Sequence, residues 1–320
     1  MSEFHLPISD LAAGLSVLLE REDRRTIRAA MARAQSSLPG ALQRGRLRAR
    51  RAALKDAGVG ALALGEGEFP ELLSGIPDPP VLLYFRGELA CLSGATIAIV
   101  GARRASATAK NFARALAVEL AGAGVVIVSG LALGVDAAAH AGALAAGGST
   151  VAVLGSGAER ITPIANAALG ESILDNHGLI LSEYPPGTPA AAHRFPERNR
   201  LISGLSLGVV VVEAGERSGS LITARLAAEQ GREVMAVPAM PGYPNSAGGN
   251  RLLKHGAVLV ERAEDVLFAI GCDGGPGRPI ERAADVSGLT PDQQKLLEVL
   301  DGRAQGLDEL AIVCGMAGPA

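Results

Sequence analysis

Tryptophan is absent from this 320-residue chain, and six Phe with three Tyr bring the aromatic share to only 3%. Close packing therefore falls to Ala, Val, Leu and Ile, the bulk of a hydrophobic class that makes up 48% of the sequence. That mix suits helices laid on a sheet and argues against a disordered chain. Cysteine is scarce too: Cys91, Cys272 and Cys314 stand far apart with no CxxC pair. The spacing argues against a disulfide framework or a cysteine-bound zinc and fits a reducing, cytoplasmic compartment. The five histidines form no H-x-x-x-H pair, so no metal is expected. No apolar run nears the roughly 20 residues that cross a bilayer, and the first residues lack the build of a signal peptide. Neither G-x-G-x-x-G after a strand nor G-x-x-x-x-G-K-[ST] occurs, which removes the main warrant for NAD binding or Walker-type hydrolysis. No cofactor is expected.

Net charge is −3, but it is unevenly spread. From Glu20 to Asp56, eleven basic residues face four acids, a segment of +7 that leaves −10 for the rest. Such a stretch suits either a polyanion or a solvated helical surface.

Residues 1–65 read as a small helical N-terminal domain, broken at Pro39-Gly40 and Gly58-Val59-Gly60. The proline-rich Ile76-Pro77-Asp78-Pro79-Pro80 is an extended connector, followed by a strand from Val81 to Gly87. Continuous apolar runs then recur at 96–100, 125–129, 150–154, 179–182, 209–213, 233–237 and 257–260, with Ala/Leu-rich helical segments between most of them. Runs that are apolar throughout predict strands covered on both faces. The expectation for residues 66–270 is thus an extended Rossmann-like α/β domain, a doubly wound and mostly parallel sheet. Residues 271–288 are a linker by composition; in 289–320, Thr290-Pro291-Asp292 caps a helix to about Leu300 and Leu307–Cys314 suggests a second short one.

Ligands in such a sheet sit at the carboxyl ends of the strands. The first run leads into Gly101-Ala102-Arg103-Arg104-Ala105-Ser106 and a helix. There free N–H groups and a forked Arg103 contact suit a phosphate, although Ser106 would equally serve as an N-cap. After the second run, Gly130 and Gly134 suit turns, and Asp136 with His140 share a helix face as an acid–base pair or a structural one. The densest charge lies in His193-Arg194-Phe195-Pro196-Glu197-Arg198-Asn199-Arg200. With a helix starting after Pro196, Arg198 and Arg200 fall in its first turn, where cations are disfavoured. Either an anion compensates them, with Phe195 as a stacking surface, or buried carboxylates do. Ser218, Gly219, Ser220 and Thr223, after the strand ending near Glu213, describe a second phosphate cradle or an ordinary cap. Gly204-Leu205-Ser206-Leu207-Gly208 matches the nucleophile-elbow letters, but a helix precedes it and a strand follows, so that reading is rejected.

These stretches, taken in order from about Phe69 to Val260, resemble the DprA (DNA-processing protein A, or Smf) family. The resemblance rests on Ile76–Pro80, Ile99–Arg103, Ser129–Ala132, Asp136–His140, Phe195–Arg200, Val211–Ala214, Ser218–Ala224, Ala236–Pro238 and Gly249-Asn250. It implies a non-enzymatic, homodimeric protein that binds single-stranded DNA and helps load the RecA recombinase during natural transformation, with residues 289–320 a truncated, winged-helix-like segment. The residues expected on DNA are Gly101, Arg103, Ser106, Gly130, Arg194, Phe195, Arg198, Asn199, Arg200, Ser218, Gly219, Ser220 and Thr223. Leu133 departs from the family's frequent arginine. The rival is a phosphoribohydrolase-like enzyme on nucleoside monophosphates, with Glu213 as its acid unless that carboxylate anchors Arg198 or Arg200.

Overall fold

A computed structural model describes Leu54, Asp56 and residues 58–64, 68–243 and 245–272. The basic segment, most of the expected helical N-terminal domain, the linker beyond Cys272 and the winged-helix-like segment lie outside these residues.

The apolar runs become strands because every residue in them is buried: β3 (Thr96–Val100), β4 (Val126–Ser129), β5 (Thr150–Leu154), β6 (Leu179–Ser182) and β7 (Gly208–Val211). Their period of two sorts side chains to opposite faces. Ala98 and Val100 join Val128, Val153, Val209 and Val211 in one core, while Ile97 and Ile99 join Ile127, Val210 and Val212 in another. The first core is closed by α1 (Glu71–Ser74), α5 (Arg194–Gly204) and α6 (Ser220–Glu229), through Leu73, Leu201 and Ala224. The second is closed by α2 (Ala107–Gly122), α3 (Val135–Ala145) and α8 (Ala263–Ala269), through Leu116, Ala139 and Val266. A third cluster gathers Tyr84, Leu131, Leu154 and Ile173, the last from α4 (Ala167–Asp175).

The described strands form one nine-stranded sheet ordered β1-β2-β6-β5-β4-β3-β7-β8-β9. From β6 to β9 all pairs are parallel, with β8 (Glu233–Ala236) and β9 (Val258–Leu259) on the far edge and α7 (Ala247–Lys254) between them in sequence. At the near edge β2 (Leu82–Gly87) runs antiparallel to β6, and β1 (Gly60–Ala63) antiparallel to β2. The doubly wound α/β expectation holds.

Strand β1 differs from the sequence reading, which took residues up to 65 as helical. Gly60 sits opposite Phe85, whose ring fills the space a Cβ would need. A Gly-Ala-Leu-Ala stretch carries no β-branched signal, so only its partner makes it a strand. The chain passes from β3 outward to β4, β5 and β6, then returns to lay β7 on the other side of β3. The strand order therefore reverses between β3 and β7, which places the site at their carboxyl ends.

Candidate functional site

At that reversal the backbone leaving β3 must pass close to its neighbours. A Cβ on Gly101 would lie 2.6 Å from Val135 and 3.1 Å from Glu213 O. Gly134, with φ of 85°, leaves no room for one against Ala102 O, so only glycine meets the positive φ and the close approach together. These turns frame a cavity of about 360 Å³ between the ends of β3, α5 and the start of α6. Nine of the expected residues line it: Gly101, Arg103, Phe195, Arg198, Asn199, Ser218, Gly219, Ser220 and Thr223. Asp136 lines it as well.

The arginines divide sharply. Arg103 is exposed, and its guanidinium lies 4.9 Å above the Phe195 ring centroid, a cation–π contact that orients the charge without satisfying its N–H donors. Arg198 is only 4% exposed and donates through Nη1 to Gly130 O (2.9 Å) and to Val153 O. Burial pulls its pKa down to about 10 against the pull of Asp136, with Arg103 lowering it further. It is still a cation at neutral pH, held beneath the cavity. Gly130 is part of this internal network rather than an open cradle. Its N–H donates to Asp136 Oδ2 (3.1 Å), and a Cβ would sit 2.6 Å from the Arg198 guanidinium. Burial also raises the Asp136 carboxyl pKa, while Arg198 and the Gly130 and Ala132 amides work to lower it.

Arg200 overturns the expectation of an anion contact. It faces away from the cavity, 7% exposed, with Nε on Asp78 Oδ2 (3.0 Å) and Nη2 on Glu183 Oε1 (2.7 Å). Burial works against its charge, but the two carboxylates outweigh it and raise its pKa. The premise about the helix start was also misplaced. Helix α5 begins at Arg194 with Pro196 inside its first turn, where a missing N–H costs nothing. Arg198 and Arg200 consequently lie beyond the dipole's end. Arg194 lies 5.1 Å above Tyr184 and donates to Pro189 O, and it does not line the cavity.

Ser106 serves as the cap of α2: its Oγ accepts from Ala109 N (3.0 Å) and donates to Glu213 Oε2 (2.6 Å). Glu213 Oε1 also accepts from Ser106 N (3.1 Å) and Asn245 Nδ2 (2.9 Å). It thus anchors a cap, not Arg198 or Arg200, and it lines a different cavity from the serine-rich turn. At that turn the Ser218 and Ser220 hydroxyls lie 2.7 Å apart, Gly219 precedes the first residue of α6, and Asn199 Nδ2 reaches Gly219 O (3.4 Å).

Asp136 and His140 form no acid–base pair. His140 is fully buried, and its Nδ1 donates to Thr150 Oγ1 (2.7 Å), a hydroxyl that spends its proton on Ile127 O (2.6 Å). Burial and Arg198 lower its pKa to about 3, so it is neutral. Ser206, at the rejected elbow, is buried between α5 and β7 and donates to Ile202 O (2.9 Å). Asp78 and Glu183 went unnoticed as partners of Arg200. Glu183 follows β6 directly, and that strand-end position was the signal available for it.

A parallel sheet whose reversal point carries an open arginine on an aromatic ring, beside a Gly/Ser-rich helix start, places the chain among the doubly wound α/β proteins. The chain belongs to the DNA recombination-mediator protein A family, whose model matches residues 61–271. It is 44% identical over 228 residues to protein Smf of Escherichia coli (strain K12), an alignment covering 71% of this chain and 60% of that one. Against DNA processing protein DprA of Bacillus subtilis (strain 168) the identity is 42% over 217 residues, covering 68% and 73%. The chain thus spans less than two thirds of the length of the E. coli relative. The X-ray structure of DNA processing protein A from Streptococcus pneumoniae superimposes with a TM-score of 0.66 at 34% identity, covering 82% of this chain and 94% of that one. DNA processing protein A from Helicobacter pylori, whose structure describes a single-stranded DNA binding mode, gives 0.58 at 32%, covering 66% and 94%.

Proposed function

We propose that this protein binds single-stranded DNA through its backbone at the β3/β7 reversal and, as a homodimer, helps load a RecA-type recombinase on incoming DNA. The observation that carries the reading is the exposed Arg103 stacked on Phe195, facing the Ser218–Ser220 helix start across one cavity. A phosphate there meets a forked cation on one side and, on the other, the Gly219 amide with the paired Ser218 and Ser220 hydroxyls, while the ring offers a surface to a neighbouring base. Arg198 adds charge from below without touching the strand.

Family membership and the Helicobacter pylori relative's named binding mode support the same reading. An enzyme acting on nucleoside monophosphates would need its carboxylate beside the phosphate cradle. Glu213 is instead tied to Ser106 and Asn245 in another cavity.

The test is fluorescence anisotropy of the full chain with oligo-dT and with duplex of equal length over a range of salt. The reading predicts tighter binding to the single strand than to duplex, and neutralising about four phosphates per protomer gives a log–log salt slope near −3. A salt-insensitive complex, or release of free base from a nucleotide that Glu213→Gln abolishes, would overturn it.

A further inference from the structure

A second cavity, of about 710 Å³, lies within the roughly 300–1,000 Å³ range of ligand sites and opposes the first in chemistry. Phe112, Val237, Pro238, Met240 and Tyr243 line it. Met240 and Tyr243 are 72% and 65% exposed, large apolar groups left at its rim. Its polar lining accepts hydrogen bonds. Glu213 brings a carboxylate, and Asn245 directs Nδ2 to Glu213 Oε1 (2.9 Å) and Arg104 O (3.3 Å). Two acceptors fix that amide's orientation and leave Oδ1 as an acceptor. Arg104 lines the cavity too, but Glu213 and Glu261 outnumber it, so apolar walls with a net acidic lining disfavour phosphate and suit a flat group that carries N–H donors.

A third cavity borders both. A trough of about 580 Å³, lined by Arg103, Arg104 and Arg217, shares Arg103 and Ser218 with the first cavity and Arg104 and Asn245 with the second. Arg103 and Arg104 are consecutive, so the turn after β3 borders the first cavity, the trough and the second cavity in succession. Cations flank the path that phosphates would take, and the apolar, acidic chamber opens at its end.

We infer that the second cavity receives one unstacked base of the bound strand, walled by Tyr243 and Met240 and held at its edge by Glu213 and Asn245. The lining favours a base with an exocyclic amino group, which A, C and G have and T lacks. This inference rests on the DNA reading above.

The experiment compares three probes of equal phosphate count, oligo-dC, oligo-dT and an abasic oligomer, binding the full chain and its Met240→Ala/Tyr243→Ala variant. Both residues are exposed, so the fold survives, as a thermal melt verifies. The native protein is expected to bind dC more tightly than dT and both more tightly than the abasic chain. The variant is expected to lose about tenfold on dC, the scale of one stacked base, and nothing on the abasic probe. Native-like affinity of the variant on every probe would overturn the base site while leaving the DNA reading intact. A native protein that binds none of the probes would overturn both.

Discussion

Arg103 and Arg198 carry the same guanidinium and face the same cavity, yet their surroundings give them different tasks. Arg103 is open to solvent above Phe195, whereas Arg198 is sealed in with Gly130 O, Val153 O and the Asp136 carboxylate. Replacing Arg198 with methionine keeps much of the volume and leaves Asp136 buried without its cation, a loss of about 3–5 kcal/mol. Arg198→Met should melt far below the native protein, and an unchanged melting temperature would contradict its structural role. His140 makes a second, pH-dependent case. Its pKa is about 3 when folded against about 6.5 unfolded, so between those values the unfolded chain binds a proton that the folded chain refuses. Its contribution to stability is complete above pH 6.5 and falls with acidification by roughly 1.4 kcal/mol per pH unit until pH nears 3. Denaturant melts between pH 6.5 and 5 should show that slope in the native protein and lose most of it in His140→Gln. Equal slopes would contradict it.

The strand β3, the turn after it and α2 were readable because each obeys a local rule: a continuously apolar run, glycine at the close approach, and serine before an alanine-rich helix. Ser106 was then assigned both to an anion and to a cap, and the cap is what Glu213 and Ala109 enforce. Ser106→Ala should cost about 1–2 kcal/mol, somewhat more than an isolated cap, because Glu213 loses a partner too. A chemical-denaturation midpoint that does not move would contradict the anchoring. Helix α5 was read three residues late because Pro196 was taken to precede the helix, although a first-turn proline is permitted. The destination of Arg200 was illegible for another reason. Its partners, Asp78 and Glu183, lie 122 and 17 residues away, and only the packing of the 76–80 connector and the end of β6 against α5 brings them together. Strand β1 belongs with these non-local features, since its identity comes from β2.

Across the described residues, the cavity of the candidate site lies at one end of the sheet. The Rossmann-like order was legible in the alternation of apolar runs and alanine-rich segments, and the reversal between β3 and β7 brings nine expected residues to one cavity. Arg194, Arg200, Ser106 and Gly130 depart from that set because neighbouring carbonyls, rings or carboxylates claim them first. Arg86 supplies an internal reference. It sits in register with Ile180 near the amino end of β6, opposite the cavity, and pairs with Glu171 at 3.2 Å. Both Arg103→Ala and Arg86→Ala remove one surface cation, so a merely diffuse attraction would weaken equally in each. The decisive measurement is the affinity of both variants for oligo-dT by anisotropy at matched salt. Binding at the strand reversal predicts a loss of about 1–3 kcal/mol for Arg103→Ala and native affinity for Arg86→Ala. Equal affinities in the two variants would contradict it.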